Sequence, residues 1–205
     1  MSLVELLVAL GIFGVVITVF MSGVVSMTRD TARALGVSDS TTSARKVLDL
    51  FDKQVRYSTS VNSPGFGAAG STSPYYYVEY IGPAQAAAGT PVCAQWRFDR
   101  TGRTIAIRTW TDSATPLPST WRILATNVRN AALNPPFVFA FAGGSLLSQQ
   151  LTVTLDIGPG SRAGANVSTT YVARNSSVNS QSNLDVAPAD QVSDSPVCRS
   201  GVGRP

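Results

Sequence analysis

The stretch that decides the fold is MSLVELLVALGIFGVVITVFMSGVVSMT, residues 1–28. The 23 residues from Leu6 to Thr28 carry no charged side chain. At 1.5 Å per residue they would form a helix of ~35 Å, slightly longer than the ~30 Å hydrocarbon core of a bilayer. A cleaved secretory signal starts with positive charge, whereas the first Lys or Arg here is Arg29. We therefore predict that residues 1–28 are a membrane-spanning helix rather than a signal peptide.

The only charged side chain early in this segment is Glu5. An ionisable group in the apolar layer costs at least ~2.5–3.5 kcal/mol, so it usually has a partner and a function. No cation lies within helical reach of Glu5 in its own segment, and the nearest positive group is the α-amine of Met1, from the same subunit or from a neighbour. Alternatively, Glu5 reaches the membrane interface at the end of the span. Its position alone does not decide between the two.

The order MSLVELL at residues 1–7, followed by an unbroken apolar run with Gly14, resembles the mature N-terminus of type IV pilins and pseudopilins. The resemblance implies that a leader peptidase cuts before Met1 and that a methylase then N-methylates it. It also implies that Glu5 pairs with the amine of the next subunit during assembly. Many pilins have a proline near position 22, whereas this chain has Ser22 and Gly23, and glycine loosens a helix less than proline does.

Residues 29–57 continue the helical pattern beyond the apolar run. Charged side chains lie outside one apolar stripe, so the pattern predicts an amphipathic half-helix packed against the rest of the protein. A coiled coil would need more heptads. We expect the helix to extend to about Tyr57 and to be terminated by Pro64 and the glycines that follow. The stripe consists of Val37, Ala44, Leu48, Phe51 and Val55.

Residues 58–175 have the composition of a mostly β globular head. Residues 99–102 have turn chemistry suited to a hairpin, and residues 120–133 read as a strand followed by a turn. Residues 176–205 form a polar tail. The predicted fold class is α+β, with the long helix packed on an antiparallel sheet. The strands are predicted at Tyr75–Ile81, Val92–Phe98, Thr104–Trp110, Phe137–Phe141, Leu151–Ile157 and Ser168–Ala173.

Two head segments extend the family resemblance more loosely. Residues 121–141 are similar to the stretch of larger minor pilins and J-type pseudopilins that leads into a late aromatic strand. Residues 168–175 are similar to the closing strand of those proteins. The resemblance thus covers the first third of the chain well and the rest loosely, and it does not extend to the tail at residues 176–205. It implies a pilin-like fold.

The chain has two cysteines and no histidine. A single widely spaced pair in an exported chain favours one structural disulfide, Cys93–Cys198, that ties the tail to the head. Without histidine the usual nucleophile–base machinery is missing, so we expect no catalytic, cofactor or metal site. Three tail aspartates at positions 185, 190 and 194 fit no defined calcium loop.

Arginine is concentrated between residues 91 and 130. This segment has six arginines and only two acidic residues, and three tryptophans lie among them. This combination can hold nucleic-acid strands or other phosphates. The alternative, which we favour, is that the arginines face solvent and the tryptophans fill the core. We therefore expect at most weak, salt-sensitive DNA affinity. The candidate DNA or surface contacts are Arg97, Arg100, Arg103 and Arg108.

The resemblance to type IV pilins implies a structural subunit of a type IV pilus-like filament, a surface pilus used for adhesion, motility or DNA uptake. The subunit would polymerise with copies of itself or with other pilins through its N-terminal helix. Before assembly it would cross the cytoplasmic membrane once, with the head outside the cytoplasm. The alternatives are a pseudopilin of a type II secretion system and a membrane-anchored module that binds DNA or a surface.

Overall fold

The computed structural model describes residues 2–62, 65–66, 75–84, 89–131, 134–160, 163–184 and 197–198. One long helix is followed by antiparallel strands, so the predicted α+β class with an N-terminal helix is confirmed. The elements are α1 (Leu3–Val55), β1 (Ser60–Val61), β2 (Gly65–Phe66), β3 (Tyr75–Ala84), β4 (Pro91–Asp99), β5 (Thr104–Thr111), β6 (Arg122–Ala125), β7 (Phe137–Ala140), β8 (Gln150–Ile157), β9 (Ala165–Val172) and the 3-10 helix η1 (Gln181–Leu184).

Helix α1 has 53 residues and is therefore about 80 Å long. Its apolar first half is exposed throughout; Leu3, for example, is 79% accessible and Phe13 61%. Its second half packs a stripe against the head, as the sequence predicts. The buried residues of α1 are Ser40, Ala44, Val47, Phe51 and Val55.

The composition of this stripe corrects the prediction at two positions. Val37 is only partly buried, and the first buried residue of the stripe is Ser40. Val47 is fully buried, whereas Leu48 is only partly buried at the edge of the core. Val47 lies three residues after Ala44 and four before Phe51, which places it in the middle of the stripe at 3.6 residues per turn. Leu48 is rotated by a further 100° toward the flank.

The helix ends at Val55, well before Pro64, which lies outside the described residues. Ser58 donates its backbone N–H to the Val55 carbonyl (3.0 Å), and Arg174 donates its backbone N–H to the Arg56 carbonyl (3.1 Å). These bonds satisfy carbonyls that have no partner within the helix. The last turn is therefore fixed by the start of the head and by the segment after β9.

The strands form two antiparallel sheets. The N-terminal sheet has the order β1-β3-β4-β5-β6, with β2 also paired to β3, and the C-terminal sheet has the order β7-β8-β9. The six strands predicted from the sequence all exist, with ends that differ by up to three residues. The predicted hairpin at residues 99–102 joins β4 to β5, and β6 lies within the predicted strand at 120–133. The two-residue strands β1 and β2 were not predicted.

The two sheets are joined near the end of β6. Val128 donates its backbone N–H to the Arg103 carbonyl at the start of β5 (3.0 Å) and forms a β-bridge with Ile157 at the end of β8. Next to it, Arg129 forms a salt bridge with Asp156 (2.6 Å). This crossing places both sheets on the same side of α1.

The core lies between the buried stripe of α1 and the inner faces of both sheets. The Phe51 ring stacks on Trp96 of β4, with 3.7 Å between the ring centroids. It also contacts Phe137 of β7 and Tyr171 of β9, at 5.7 and 6.2 Å. The Tyr171 hydroxyl donates to the Leu48 carbonyl of the helix (2.9 Å). The second half of α1 is therefore part of the head.

The segment after β9 packs on the head as far as Leu184. Gln149, fully buried before β8, accepts from the Val61 backbone N–H through Oε1 (2.8 Å). Its Nε2 donates to Ser182 Oγ and to Asn183 Oδ1, both at 2.7 Å. Ser182 Oγ also hydrogen-bonds Ser60 Oγ at 2.8 Å. Residues 176–184, which the sequence assigned to the polar tail, are thus held by a buried hydrogen-bond network.

Candidate functional site

The N-terminal end of α1 is closed by a capping box. Ser2 Oγ accepts from the Glu5 backbone N–H (3.3 Å), and Glu5 Oε2 accepts from the Ser2 backbone N–H (2.8 Å). The carboxylate therefore has a partner in its own chain, which the sequence analysis did not anticipate. The S-x-x-E spacing at residues 2–5 is the signal for this motif. Met1, the predicted methylation and pairing residue, lies outside the described residues.

Three hydroxyl groups of the apolar half are satisfied inside the helix. Thr18 donates to the Gly14 carbonyl, Ser22 to the Val19 carbonyl and Thr28 to the Val24 carbonyl, at 2.7–2.8 Å. A hydroxyl bonded in this way costs little in an apolar environment.

The helix runs through Ser22 and Gly23 without a break. Within the described residues, α1 is the one helix that is long and apolar enough to cross a membrane, and that part of it is not buried in the protein. Its free apolar surface is the first candidate functional feature.

The four candidate contact arginines do not form one surface. Arg100 is exposed in the β4–β5 turn, where Asp99 Oδ1 accepts from the Gly102 backbone N–H (2.8 Å). Arg103, with a φ of 53°, directs its guanidinium to the carbonyls of Val128 (3.4 Å) and Gly158 (3.3 Å). Arg103 therefore links the two sheets.

Arg97 and Arg108 come together on the outer face of the N-terminal sheet, opposite the core. The Arg97 guanidinium carbon lies 4.8 Å from the ring centroid of Tyr75 and 4.3 Å from that of Trp121. The guanidinium carbon of Arg108 lies 4.6 Å from the Trp121 centroid and 5.7 Å from that of Trp110. We call these five residues the arginine–aromatic cluster.

Polar residues of β3 and β4 support the cluster. Arg108 Nε donates to Gln95 Oε1 (2.8 Å), and Gln95 Nε2 donates to Glu79 Oε2 (3.1 Å). Glu79 and Gln95 are only 2% and 1% exposed. Burial raises the pKa of Tyr77, and the positive charge of Arg97 acts in the opposite direction. This polar ladder has no sequence signature, because its members are brought together only by strand register.

The tryptophans divide between core and surface. Trp96 is fully buried in the main core, where its Nε1 donates to the Tyr80 hydroxyl (2.7 Å). Trp110 is buried in a small apolar cluster with Val197 and the disulfide. Trp121 is half-buried in the arginine–aromatic cluster. The interpretation of tryptophans as core residues thus holds for Trp96 and Trp110.

Cys93 of β4 and Cys198 form the predicted disulfide, with 6.2 Å between their Cα atoms. The bond holds Val197, 4% exposed, against Trp110. Burial of Val197 therefore helps the disulfide to attach the tail to the head. The tail aspartates at 185, 190 and 194 lie outside the described residues. Across the ranges that are described, no group of three His, Cys, Asp or Glu side chains could hold a metal.

Comparisons with protein-family models, curated proteins and solved structures found no match to this chain.

Proposed function

We propose that this chain is a structural subunit of a type IV pilus-like filament and that it polymerises through helix α1. The observation that carries the proposal is the exposed apolar half of α1. It projects from a folded head, carries one carboxylate near its end and leaves no hydroxyl of Thr18, Ser22 or Thr28 unbonded. Such a surface is stable only in lipid or against other apolar helices.

The two environments correspond to two stages of the subunit. Before assembly the apolar half crosses the cytoplasmic membrane and anchors the head outside the cytoplasm. During assembly it leaves the lipid and packs against the apolar halves of neighbouring subunits. The head, fixed to the second half of α1 through Phe51 and Tyr171, then covers the outside of the filament.

Glu5 gives the assembly its register. In the free subunit its carboxylate caps its own helix by accepting from the Ser2 backbone N–H. In the filament it pairs with the α-amine of the next subunit, because an unpaired carboxylate among packed apolar helices is costly. Helices shifted along their axes would leave this charge without a partner.

Three substitutions separate the charge of Glu5 from its capping role. Glu5→Leu removes both, Glu5→Gln keeps a carbonyl acceptor for Ser2 but removes the charge, and Ser2→Ala removes the hydroxyl side of the box and keeps the charge. Asp30→Asn, at an exposed carboxylate beyond the apolar half, is the matched control. Membrane fractionation and electron microscopy of sheared filaments, with mass spectrometry of their subunits, measure insertion and assembly.

We expect all four variants in the membrane fraction. Glu5→Leu and Glu5→Gln should form few filaments, whereas Ser2→Ala and Asp30→Asn should assemble normally. Normal numbers of filaments that contain Glu5→Leu subunits would contradict the pairing role. Filaments from Glu5→Gln but not from Ser2→Ala would show that Glu5 acts only as a cap. Wild-type protein that stays in the membrane and never enters a filament would favour an anchored binding module.

A further inference from the structure

A small pocket lies where α1 enters the head, and we call it the neck pocket. Its volume is about 260 Å³, and its walls are the helix from Gly36 to Ser43 and the loops that follow β6 and β8. Asp39, Ser43, Thr126 and Asn127 line it, and their side chains form no hydrogen bond or ion pair with any residue that the structure describes. The neck pocket therefore presents a carboxylate, two hydroxyls and an amide to a partner.

The size and position of the neck pocket indicate what kind of partner fits it. Gly36 lies eight residues after Thr28, the end of the apolar run, which is about 12 Å farther along the helix. The polar layer on each side of a bilayer is only roughly 5–7 Å thick, so a lipid headgroup does not reach the pocket. The pocket is also smaller than most ligand sites, which have volumes of ~300–1,000 Å³. Its size suits a side chain or the tip of a loop from another protein chain.

A fixed turn lies at the opposite end of strand β8. It comprises residues 142–148, and we call it the β7–β8 turn. Gly143 and Leu146 exchange two backbone hydrogen bonds across it (2.8 and 2.9 Å). Asn183 holds its base, because its side chain accepts from the Ala142 N–H (3.2 Å) and donates to the Ala142 carbonyl (2.6 Å). The turn directs Leu147 into solvent, where it is 87% exposed.

The turn and the neck pocket are chemically complementary. One exposed leucine is ordinary on a protein surface, but Leu147 lies on a turn that is already ordered, so its burial against a partner costs little further ordering. Beside it, Gly144 and Ser145 are exposed, and their backbone N–H groups bond to no residue that the structure describes. The pocket has an apolar wall at Ile157 and Pro159 next to its acceptors. An apolar side chain beside free donors thus matches an apolar wall beside free acceptors.

The turn cannot fill the pocket of its own chain, because the eight residues of β8, about 26 Å, lie between them. We propose that the β7–β8 turn of one copy of this chain docks in the neck pocket of the next copy, so that heads stack end to end along the filament. Leu147 then lies against Ile157 and Pro159, and the N–H groups of the turn donate to Asp39. Such a head-to-tail contact uses two different surfaces and therefore builds an open chain of subunits. The inference rests on the proposed filament function and adds a contact between heads to the packing of α1.

The test is oxidative cross-linking of sheared filaments whose subunits each carry two engineered cysteines. Leu147→Cys with Thr126→Cys places one thiol on the turn and one in the pocket. Leu117→Cys with Thr126→Cys is the matched control, because Leu117 is also 87% exposed but lies between β5 and β6. The native Cys93 and Cys198 are buried in their disulfide and do not compete for the new thiols.

On denaturing electrophoresis without reductant, we expect a ladder of covalent oligomers from the Leu147→Cys/Thr126→Cys filaments and monomers from the control. Oligomers longer than dimers are required, because each subunit contacts one neighbour through its turn and another through its pocket. Filaments that yield no ladder, or the same ladder as the control pair, would overturn the docking contact and leave the filament function intact. Wild-type chains that form no filaments would contradict the filament function, and the contact with it.

A charge exchange tests the same contact without cysteines. Leu147→Asp sets a carboxylate opposite Asp39, and since like charges repel, the yield of filaments should fall on the order of tenfold. Adding Asp39→Lys should restore the yield, and Leu117→Asp should not change it. Equal yields from Leu147→Asp and Leu117→Asp, or no recovery in the double variant, would overturn the proposal. If the double-cysteine chain does not assemble, these variants carry the comparison.

Discussion

Phe51 reaches both sheets from one position on the helix. Its ring stacks on Trp96 of the N-terminal sheet and contacts Phe137 and Tyr171 of the C-terminal sheet. Few side chains around it can move to fill the space if it is removed, because Trp96 and Phe137 are themselves buried. The attachment of the helix to the head thus depends strongly on one residue.

We therefore expect Phe51→Ala to lower the free energy of unfolding by about 3–5 kcal/mol, from lost burial and the cavity left behind. Phe13→Ala is the matched control, since it makes the same change on the same helix at a side chain that is 61% exposed. Denaturant unfolding of the detergent-solubilised full chain, followed by near-ultraviolet circular dichroism, compares the two. Equal loss of stability in both variants would contradict the central role of Phe51.

Tyr171 makes the stability of the head depend on alkaline pH. Burial, followed by the charge of Asp52, raises the pKa of Tyr171 to about 12. A phenol titrates near 10 in the unfolded chain, so the folded state favours the neutral form. The resulting stabilisation is complete below pH ~10 and is lost as the pH rises from ~10 to about 12. The ionised phenol would also lose its donated bond to the Leu48 carbonyl.

The unfolding free energy of the wild type should fall between pH 9 and pH 11. Tyr171→Phe should accordingly show a smaller fall, because the contribution of one titrating phenol is removed. Part of the loss should remain, because burial also raises the pKa of Tyr77 and Tyr80. Denaturant titrations at a series of pH values measure the slope. If the dependence of the unfolding free energy on pH is the same in the variant and the wild type, the pKa of Tyr171 does not differ between the folded and unfolded states.

Among the elements, η1 is held to the head mainly by polar contacts. Its Ser182 bonds Ser60 and Gln149, and Asn183 donates to the Ala142 carbonyl (2.6 Å). A buried network of this kind stabilises only if all of its members are bonded. Gln149 is its centre, because it contacts β1 and η1 at once.

Gln149→Leu keeps most of the volume and leaves the Val61 N–H without its acceptor. Unsatisfied buried groups cost about 1–3 kcal/mol each, so we expect a loss of stability of that order and faster hydrogen exchange at residues 176–184. Gln150→Leu, the adjacent and partly exposed glutamine, is the control. Unaltered exchange in Gln149→Leu would mean that other contacts hold η1.

In the whole molecule, most strands were predictable because they are short runs rich in β-branched and aromatic residues. Strands β1 and β2 are too short to show a period, and Val47 was missed because Leu48 is equally apolar. The buried network around Gln149 was not predictable, because it consists of residue types that are usually on the surface. The contacts of Arg103 were not predictable either, because they depend on a turn and on the crossing between the two sheets. Of the candidate site, the apolar helix and the disulfide could be read from the sequence, whereas the pairing of Arg97 with Trp121 required the fold.

The disulfide acts over a large part of the chain, since its cysteines are 105 residues apart. Closing such a loop stabilises by about 4.7 kcal/mol in the chain-entropy model, and often by less in measurements. We expect Cys198→Ser to lower stability and to expose Val197 and Trp110, while residues 176–184 keep slow hydrogen exchange through the Gln149 network. Exchange mass spectrometry distinguishes these regions, and loss of protection at 176–184 would contradict their independent attachment.

The unbroken course of α1 also determines how the molecule responds to tension. A pull on its apolar half acts along the helix axis, so the hydrogen bonds of the exposed turns are stretched and open one after another. The packing of Phe51 and the bond between Tyr171 and Leu48 lie across that direction and are sheared together. Each residue that leaves the helix lengthens the chain by about 2 Å. The exposed half would therefore act as an extensible spring that absorbs mechanical work before the head unfolds.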